Sequence, residues 1–163
     1  MMAIINTRIR TAVVADAAII ADYNARIARE TEGRTLDHAT LLNGVTALLQ
    51  EPSRGIYFVA ETTESSPRVA GQLLITYEWS DWRNGNFWWI QSVYVAKEFR
   101  GAGVFRALFQ HVLALSKSRS DVCGLRLYMD ADNHQARKVY EKLGMKRTNY
   151  EMFETDFVLK DHA

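Results

Sequence analysis

The sequence predicts an α/β fold with a mixed, mainly antiparallel sheet of about six to seven strands flanked by about four helices. In some segments apolar and polar residues alternate, as in strands, and in others apolar residues recur at helical spacing. Three strand-like segments follow one another in mid-chain with short, turn-rich connections, which favours antiparallel pairing. Later the chain passes from strand to helix and back to strand, which is typical of a single crossover.

The first third of the chain contains one predicted strand and two predicted helices. The strand alternates in polarity, Asp16 can cap the helix that follows it, and the second helix ends before Pro52. The predicted ranges are 7–14, 17–30 and 38–50. One strand and two helices therefore precede the central meander.

Three predicted strands form the meander. They span residues 55–62, 69–78 and 87–96. The connection between the last two contains Asn84 followed by Gly85, a dipeptide typical of tight hairpin turns. The second and third strands are therefore expected to pair as a hairpin.

Beyond the meander the pattern changes to helix, strand, helix and strand. A helix begins near Gly101, and the apolar residues on its buried face are Val104, Leu108, Val112 and Leu115. A strand at 124–131, a helix at 133–144 closed by Gly144, and a final strand at 147–157 complete the order.

The composition narrows the functional class. A chain of 163 residues, 48% hydrophobic and 24% charged, suits a single domain over residues 1–163. The formal net charge of +1 gives no overall attraction to nucleic acid or to an anionic membrane, so we expect neither as a partner. The apolar stretch near residue 1 is too short for a signal peptide, and no segment reaches the roughly 18 apolar residues of a membrane span. We therefore expect a cytoplasmic protein.

The residue types give little support to metal or thiol chemistry. Cys123 is the only cysteine, and it has no evident base beside it, so packing explains it better than nucleophilic catalysis. The four histidines are too scattered to suggest a metal site: His38, His111, His134 and His162. We expect no metal cofactor.

The segment EFRGAGVFRAL, from Glu98 to Leu108, has two interpretations. The first backbone N–H groups of a helix lack intrahelical acceptors, and glycine lets a phosphate approach them closely. Arg100, together with Lys97 or Arg106, could add charge-assisted contacts to that phosphate. A tight turn with solvated arginines explains the same residues, so the segment alone does not decide between them.

Two common phosphate-binding motifs fit this segment poorly. A Walker loop requires a Lys-Ser or Lys-Thr dipeptide after its last glycine, and the sequence has none at that spacing. A Rossmann fingerprint requires a third glycine or alanine where Arg106 stands, and it normally follows the first strand of a parallel sheet. A dinucleotide-dependent oxidoreductase is therefore disfavoured.

Two segments of the second half resemble the GCN5-related N-acetyltransferase (GNAT) superfamily. VYVAKEFRGAGVFRAL is similar to its acyl-CoA loop, Gln/Arg-x-x-Gly-x-Gly/Ala, with Glu98 at the first place and Gly101 and Gly103 as the glycines. LYMDADNHQARKVYEKLGM is similar to its Asn-x-x-Ala-x-x-x-Tyr-x-x-x-Gly pattern, which is met by Asn133, Ala136, Tyr140 and Gly144. The resemblance covers about residues 90–145 and implies the acyl-CoA N-acyltransferase fold.

The resemblance implies transfer of an acetyl group from acetyl-CoA to an amine by direct attack in a ternary complex. It assigns the cofactor diphosphate to the backbone of Phe99, Arg100, Gly101, Ala102, Gly103 and Val104. It lays the pantetheine arm along the fourth strand at Val93 and Val95, where the fourth and fifth strands splay apart. Phe105 departs from the family pattern, since many members have another glycine there.

The resemblance also implies three further roles. The Val93 amide would stabilise the negative charge that develops on the thioester oxygen. Tyr140 would return a proton to the leaving thiolate, although its spacing with Ala136 and Leu143 also suits simple packing on a helix face. Asn133 would hydrogen bond near the pantetheine arm, and capping of the helix that follows explains it as well.

The general base is the least defined of the expected groups. Glu78 ends a predicted strand just before an aromatic loop, so it is a candidate for removing a proton from the acceptor amine. A merely solvated carboxylate at a strand end is the alternative. Glu30, Glu32 and Asp81 are further candidates.

The acceptor is expected to be a primary amine of a small molecule or peptide. The aromatic segment EWSDWRNGNFWW could hold a cationic amine by cation–π and charge contacts. Trp88 and Trp89 face opposite sides of one strand, so at least one of them packs in the core or an interface. An exposed aromatic patch would be consistent with a homodimer. The alternative function is a non-catalytic acyl-CoA-binding module of the same fold.

Overall fold

A computed structural model describes residues 6–159, which contain five strands and four α-helices. The elements are β1 (Thr7–Thr11), α1 (Ala17–Glu32), α2 (His38–Gln50), β2 (Ile56–Thr62), β3 (Val69–Ser80), β4 (Gly85–Val95), α3 (Val104–Lys117), β5 (Val122–Arg126) and α4 (His134–Lys142). The predicted α/β class and the predicted order of the first nine elements are confirmed. Short 3-10 turns precede α1 and lie on either side of β4.

The chain divides into two compact units. The first ends at Leu127 and contains the whole sheet with α1, α2 and α3, and the second begins at Tyr128 and contains α4. The division does not test the single domain expected over residues 1–163, which stays a prediction.

The sheet has the order β1-β2-β3-β4-β5. Neighbouring strands are antiparallel from β1 to β4, which confirms the meander, and β5 runs parallel to β4 after the α3 crossover. Pairing between β4 and β5 covers only the stretch from Asn86 to Trp89 of β4. In the first unit, the edge of β4 from Ile90 to Val95 therefore has no β5 residue beside it.

The number of strands is smaller than the six to seven predicted. The segment 147–157, predicted as a final strand, contains no strand, and Tyr150, Phe153 and Phe157 are 81%, 91% and 92% exposed. Alternating polarity is only a local signal, whereas a strand exists through hydrogen bonds to a neighbouring strand. Within the second unit no other strand is described, so the segment has no such neighbour there.

Helices cover both faces of the sheet. Tyr57 and Val59 of β2 pack in one cluster with residues of α1 and α2. Phe58, between them in sequence, contacts His111 of α3 with ring centroids 5.2 Å apart. Successive strand residues face opposite sides, so α1 and α2 lie on one face and α3 lies on the other.

Asp16 anchors the entry to α1, but not by the helix capping that the sequence predicts. It occupies the N-cap position without a side-chain bond to the helix. Its carboxylate instead accepts hydrogen bonds from Arg10 Nη1 and Nη2 at 2.8 and 2.9 Å and from the Val13 backbone N–H at 2.8 Å. These donors, Arg10 foremost, hold the pKa of Asp16 below its ordinary 3.8.

We expect Asp16→Asn to lower the free energy of unfolding at pH 7 by about 2 kcal/mol, because it removes the charged acceptor of two Arg10 hydrogen bonds and leaves Glu61 as the remaining carboxylate beside that guanidinium. Since the pKa is lowered in the folded chain, the contribution of Asp16 is present above pH 3.8 and is lost as the pH falls through the folded pKa. Urea unfolding at several pH values measures this. Asp22→Asn, which removes an exposed pair with Arg26, is the matched control and should change stability by less than about 1 kcal/mol.

Candidate functional site

The glycine-containing loop between β4 and α3 has the geometry of an anion-binding turn. Gly101 and Gly103 have φ angles of 79° and 84°, which residues other than glycine rarely adopt. A Cβ built on Gly103 would meet no atom within 4 Å, so the space in front of this residue is open. Gly103 is also the N-cap of α3, whose N-terminus carries a partial positive charge.

The loop amides fall into two groups. The N–H groups of Phe99, Arg100 and Ala102 donate to backbone carbonyl oxygens within the loop, at 2.8, 3.3 and 3.4 Å. Four amides donate to no acceptor in residues 6–159, namely those of Gly101, Gly103, Val104 and Arg106. The Arg106 amide was not among the sequence predictions. Its position in the first turn of α3 is the signal that identifies it.

Arg100 ties the loop to the C-terminal end of α1. Its Nη2 donates to Glu30 at 2.8 Å, and its Nε donates to the Val95 carbonyl at 2.9 Å. Glu30 also accepts a hydrogen bond from the Tyr94 hydroxyl at 3.0 Å and lies 3.6 Å from the ammonium of Lys97. These donors, Arg100 foremost, lower the pKa of Glu30. Glu30 therefore braces the loop and is a poor acceptor for a substrate proton.

Val93 and Val95 lie on the stretch of β4 that has no β5 residue beside it. This is the place where the sequence predicted that the fourth and fifth strands would separate. β4 is also irregular here, because Ser92 and Val93 lie opposite the single residue Leu73 of β3. Apart from the Val95 carbonyl, which accepts from Arg100, the backbone of this stretch is therefore available to an extended ligand on the β5 side.

Glu78 lies far from Val93. It is opposite Phe87, and Val93 is six positions further along β4, which corresponds to about 20 Å. The carboxylate of Glu78 accepts a hydrogen bond from Trp89 Nε1 and another from Arg126 Nη1 at 2.5 Å. Sequence spacing did not identify these donors, because they come from two other strands. The structure does not bring Glu78 within proton-transfer distance of the Val93 amide.

The other candidate bases are also engaged or remote from the loop. Glu32 lies 3.7 Å from the guanidinium of Arg34. Asp81 accepts a hydrogen bond from the backbone of Trp82 at 2.9 Å, in the turn between β3 and β4. Cys123 is half-buried in β5, in agreement with a packing role.

The aromatic segment is divided between the core and the surface. Trp88 is 2% exposed and packs near Tyr77, with the guanidinium of Arg119 5.8 Å from its ring centroid. Trp79 and Trp82 are 59% and 85% exposed on the hairpin between β3 and β4. Of these three rings, only Trp79 and Trp82 are accessible to a ligand or partner.

The second unit carries the remaining predicted residues. The Asn133 Oδ1 accepts a hydrogen bond from the Ala136 backbone N–H at 3.0 Å, which caps α4. Tyr140 lies one turn beyond Ala136 on the same helix and is half-buried. Burial raises the pKa of its hydroxyl, which therefore stays protonated at neutral pH.

The described residues form neither a metal cluster nor a membrane-spanning helix. In the part of the chain that the structure describes, no group of three or more His, Cys, Asp or Glu residues is arranged to hold a metal ion. None of the described helices has the length and apolar character needed to cross a membrane.

The chain matches a known family model and several solved structures. The model of the acetyltransferase (GNAT) family matches residues 20–145. The crystal structure of a possible acetyltransferase from Clostridium difficile 630 is 42% identical in sequence, with a TM-score of 0.86, over 94% of this chain and 99% of that chain. A comparison with curated proteins finds no significant match.

Two more distant structures share the fold. One is a predicted acetyltransferase with acetyl-CoA from Clostridium acetobutylicum, 18% identical, with a TM-score of 0.73 over 96% of this chain and 100% of that chain. The other is a ribosomal-protein-alanine N-acetyltransferase from Brucella melitensis, 18% identical, with a TM-score of 0.72 over 93% of this chain and 99% of that chain. At this identity the likeness concerns the fold alone.

Proposed function

Because the chain belongs to the acetyltransferase (GNAT) family, we propose that it transfers the acetyl group of acetyl-CoA to a primary amine of a small molecule or peptide. One observation carries this proposal. The open amides of Gly101, Gly103, Val104 and Arg106 stand at the N-terminus of α3, directly after a stretch of β4 without a β5 neighbour. A diphosphate and an extended amide-containing arm need this combination of donors and strand edge.

The residues present fit two parts of coenzyme A, its diphosphate and its pantetheine arm. Backbone N–H groups at the beginning of α3 would hold the diphosphate, with the positive end of the helix dipole adding to the attraction. The Arg100 side chain is committed to Glu30 and Val95, so its contribution is to hold the loop in shape. The backbone of Val93 and Val95 would pair with the pantetheine arm.

The chemistry then requires two groups from the protein. Bound acetyl-CoA supplies an activated thioester, which the acceptor amine attacks directly. The Val93 N–H would stabilise the negative charge on the thioester oxygen, and the Tyr140 hydroxyl would protonate the departing sulfur. The amine loses one proton and the thiol gains one, so the transfer is balanced without a covalent enzyme intermediate.

Glu78 fits recognition of the acceptor better than direct proton removal. A general base must be within hydrogen-bond distance of the proton that it takes, directly or through one water. The position of Glu78 is about 20 Å along β4 from Val93, which exceeds that distance. Its carboxylate is 41% exposed and lies next to Trp89 and the aromatic hairpin. We therefore propose that Glu78 holds a cationic part of the acceptor remote from the reacting amine.

We also propose a homodimer and keep one alternative function. The exposed Trp79 and Trp82 support a homodimer contact, the partner with which an exposed aromatic patch would be consistent. The alternative function, a non-catalytic acyl-CoA-binding module, would keep the loop but would not need the Tyr140 hydroxyl. It predicts cofactor binding without turnover.

Calorimetry and a thiol-release assay test the proposed function. We expect acetyl-CoA to bind in the micromolar range, NAD to give no heat, and thiol to be released with at least one member of a panel of amines, amino acids, antibiotics and peptides. Binding without thiol release across the panel would favour the non-catalytic module. Heat with NAD and none with acetyl-CoA would contradict both interpretations.

A further inference from the structure

Ser92 produces a strained bulge in β4. Ser92 and Val93 together lie opposite Leu73, and Ser92 has a φ of 47°, in the left-handed region that residues other than glycine rarely adopt. Such a conformation costs about 1–3 kcal/mol and persists only where surrounding contacts hold it. The contacts that hold Ser92 must therefore offset this cost.

A buried amide network holds the bulge. Gln72 Nε2 donates to the Ser92 carbonyl oxygen at 3.2 Å and to Asn24 Oδ1 at 2.7 Å. Asn24 Nδ2 in turn donates to the Tyr57 hydroxyl at 2.9 Å. The main chain of Ser92 is therefore linked through Gln72 and Asn24 to the Tyr57 hydroxyl.

A glutamine at position 72 costs stability. Gln72 is 0% exposed, and its Oε1 has no hydrogen-bond partner within residues 6–159. An unsatisfied buried acceptor costs about 1–3 kcal/mol, which an apolar side chain of similar size would avoid. Packing alone therefore does not explain this glutamine.

The bond from Gln72 acts on the peptide group that contains the Val93 N–H. The Ser92 carbonyl and the Val93 N–H belong to one trans peptide, so they point in opposite directions. A donor on the carbonyl oxygen therefore turns the Val93 N–H away from Gln72, which lies on β3. The same bond polarises the peptide and strengthens its N–H as a donor, by about 10–30% in condensed-phase estimates.

We propose that Gln72 is the positioning residue of the oxyanion donor: through the Ser92 carbonyl it orients and polarises the Val93 N–H. The inference rests on the proposed function, in which this N–H stabilises the thioester oxygen. Asn24 supports Gln72 by accepting the other hydrogen bond from its Nε2, and the Tyr57 hydroxyl in turn accepts a hydrogen bond from Asn24. Gln72 thus sets the strength of the Val93 N–H donor, which contacts the substrate in the proposed reaction.

Nuclear magnetic resonance tests the orientation without any substrate. Ser92–Val93 is the only Ser-Val dipeptide in the sequence, so ¹³C-carbonyl serine with ¹⁵N-valine gives a single correlated peptide signal. In Gln72→Met, which keeps the side-chain length but removes the donor, we expect both resonances to shift upfield. Thr62→Val is the matched control, since Thr62 is a 2% exposed polar residue of β2 that contacts Arg68, and the signal should stay in place.

Kinetics test the consequence for transfer. We expect Gln72→Met to lower kcat by about tenfold to a hundredfold, less than the roughly 10²–10³ for complete loss of an oxyanion donor. The Kd and KM for acetyl-CoA should stay within about twofold, and Thr62→Val should keep the wild-type kcat. Tyr57→Phe, which keeps the ring, should also lower kcat, but by a smaller factor than Gln72→Met. It replaces Gln72→Met as the test variant if that variant does not fold.

The outcomes separate this inference from the proposed function. Suppose that the wild-type chain transfers acetyl. If folded Gln72→Met then keeps the wild-type kcat, or if its Ser92–Val93 signal does not shift, the inference is overturned and the proposed function is not. A wild-type chain that binds no acetyl-CoA overturns the proposed function and the inference with it.

Discussion

Gly103→Val is expected to weaken acetyl-CoA binding by at least about a hundredfold. The new side chain would occupy the open space in front of the loop and would move the residue away from its φ of 84°, which redirects the amides of Gly103 and Val104. Loss of two hydrogen bonds to a charged group, each worth about 1.5–3 kcal/mol, corresponds to this factor or more. Calorimetric titration measures it, and the paired Gly101→Val/Gly103→Val variant should bind no better.

The control for this variant is Gly33→Val. Gly33 also has a positive φ, 62°, and a Cβ built on it meets nothing within 4 Å, so its substitution introduces a similar backbone strain at the end of α1. We expect a loss of about 1–3 kcal/mol in stability from each variant and an unchanged acetyl-CoA affinity for Gly33→Val. If folded Gly103→Val still binds acetyl-CoA with wild-type affinity, the assignment of the diphosphate to this loop is wrong.

Tyr140→Phe is expected to lower kcat by about a hundredfold or more while the KM for acetyl-CoA changes little. The substitution keeps the ring and removes only the hydroxyl, and loss of a positioned general acid costs about 10²–10⁴ in rate. Steady-state thiol release over a range of both substrates gives kcat and KM separately. An unchanged kcat would favour water or another group as the proton donor to the thiolate.

The pH dependence and a second tyrosine sharpen this prediction. Because burial raises the pKa of Tyr140 above its ordinary 10.0, the acid form is present throughout the neutral range, and the midpoint of any fall of kcat due to its ionisation lies above pH 10. Tyr77→Phe is the matched control. Burial also raises the pKa of Tyr77, but its hydroxyl contacts the Pro52 carbonyl at 3.3 Å, so kcat should stay at the wild-type value.

The structure separates two carboxylates, of which the sequence offered Glu78 as the first candidate base and Glu30 as a further one. Glu30 lies at the loop end of β4, bound to Arg100 and Tyr94, whereas Glu78 lies near the hairpin end, bound to Trp89 and Arg126. Neither carboxylate is without a partner. In the proposed reaction we therefore expect water, rather than either carboxylate, to take the proton from the amine.

Local chemistry determined the parts of the site that lie close together in sequence. The loop could be predicted because positive φ at Gly101 and Gly103 and the helical spacing from Val104 onward are properties of neighbouring residues. The cap at Asn133 is likewise formed with a residue three positions away. For such features the sequence is sufficient.

Only the tertiary structure decided the features that depend on how strands align. The bulge at Ser92, the distance between Glu78 and Val93, and the burial of Gln72 all follow from the register of β3 against β4. One glutamine in the apolar stretch AGQLLI was a visible signal, but its partner on β4 was not. The predicted strand at 147–157 did not form for the same reason. Register and pairing arise from contacts between distant segments, which no local pattern encodes.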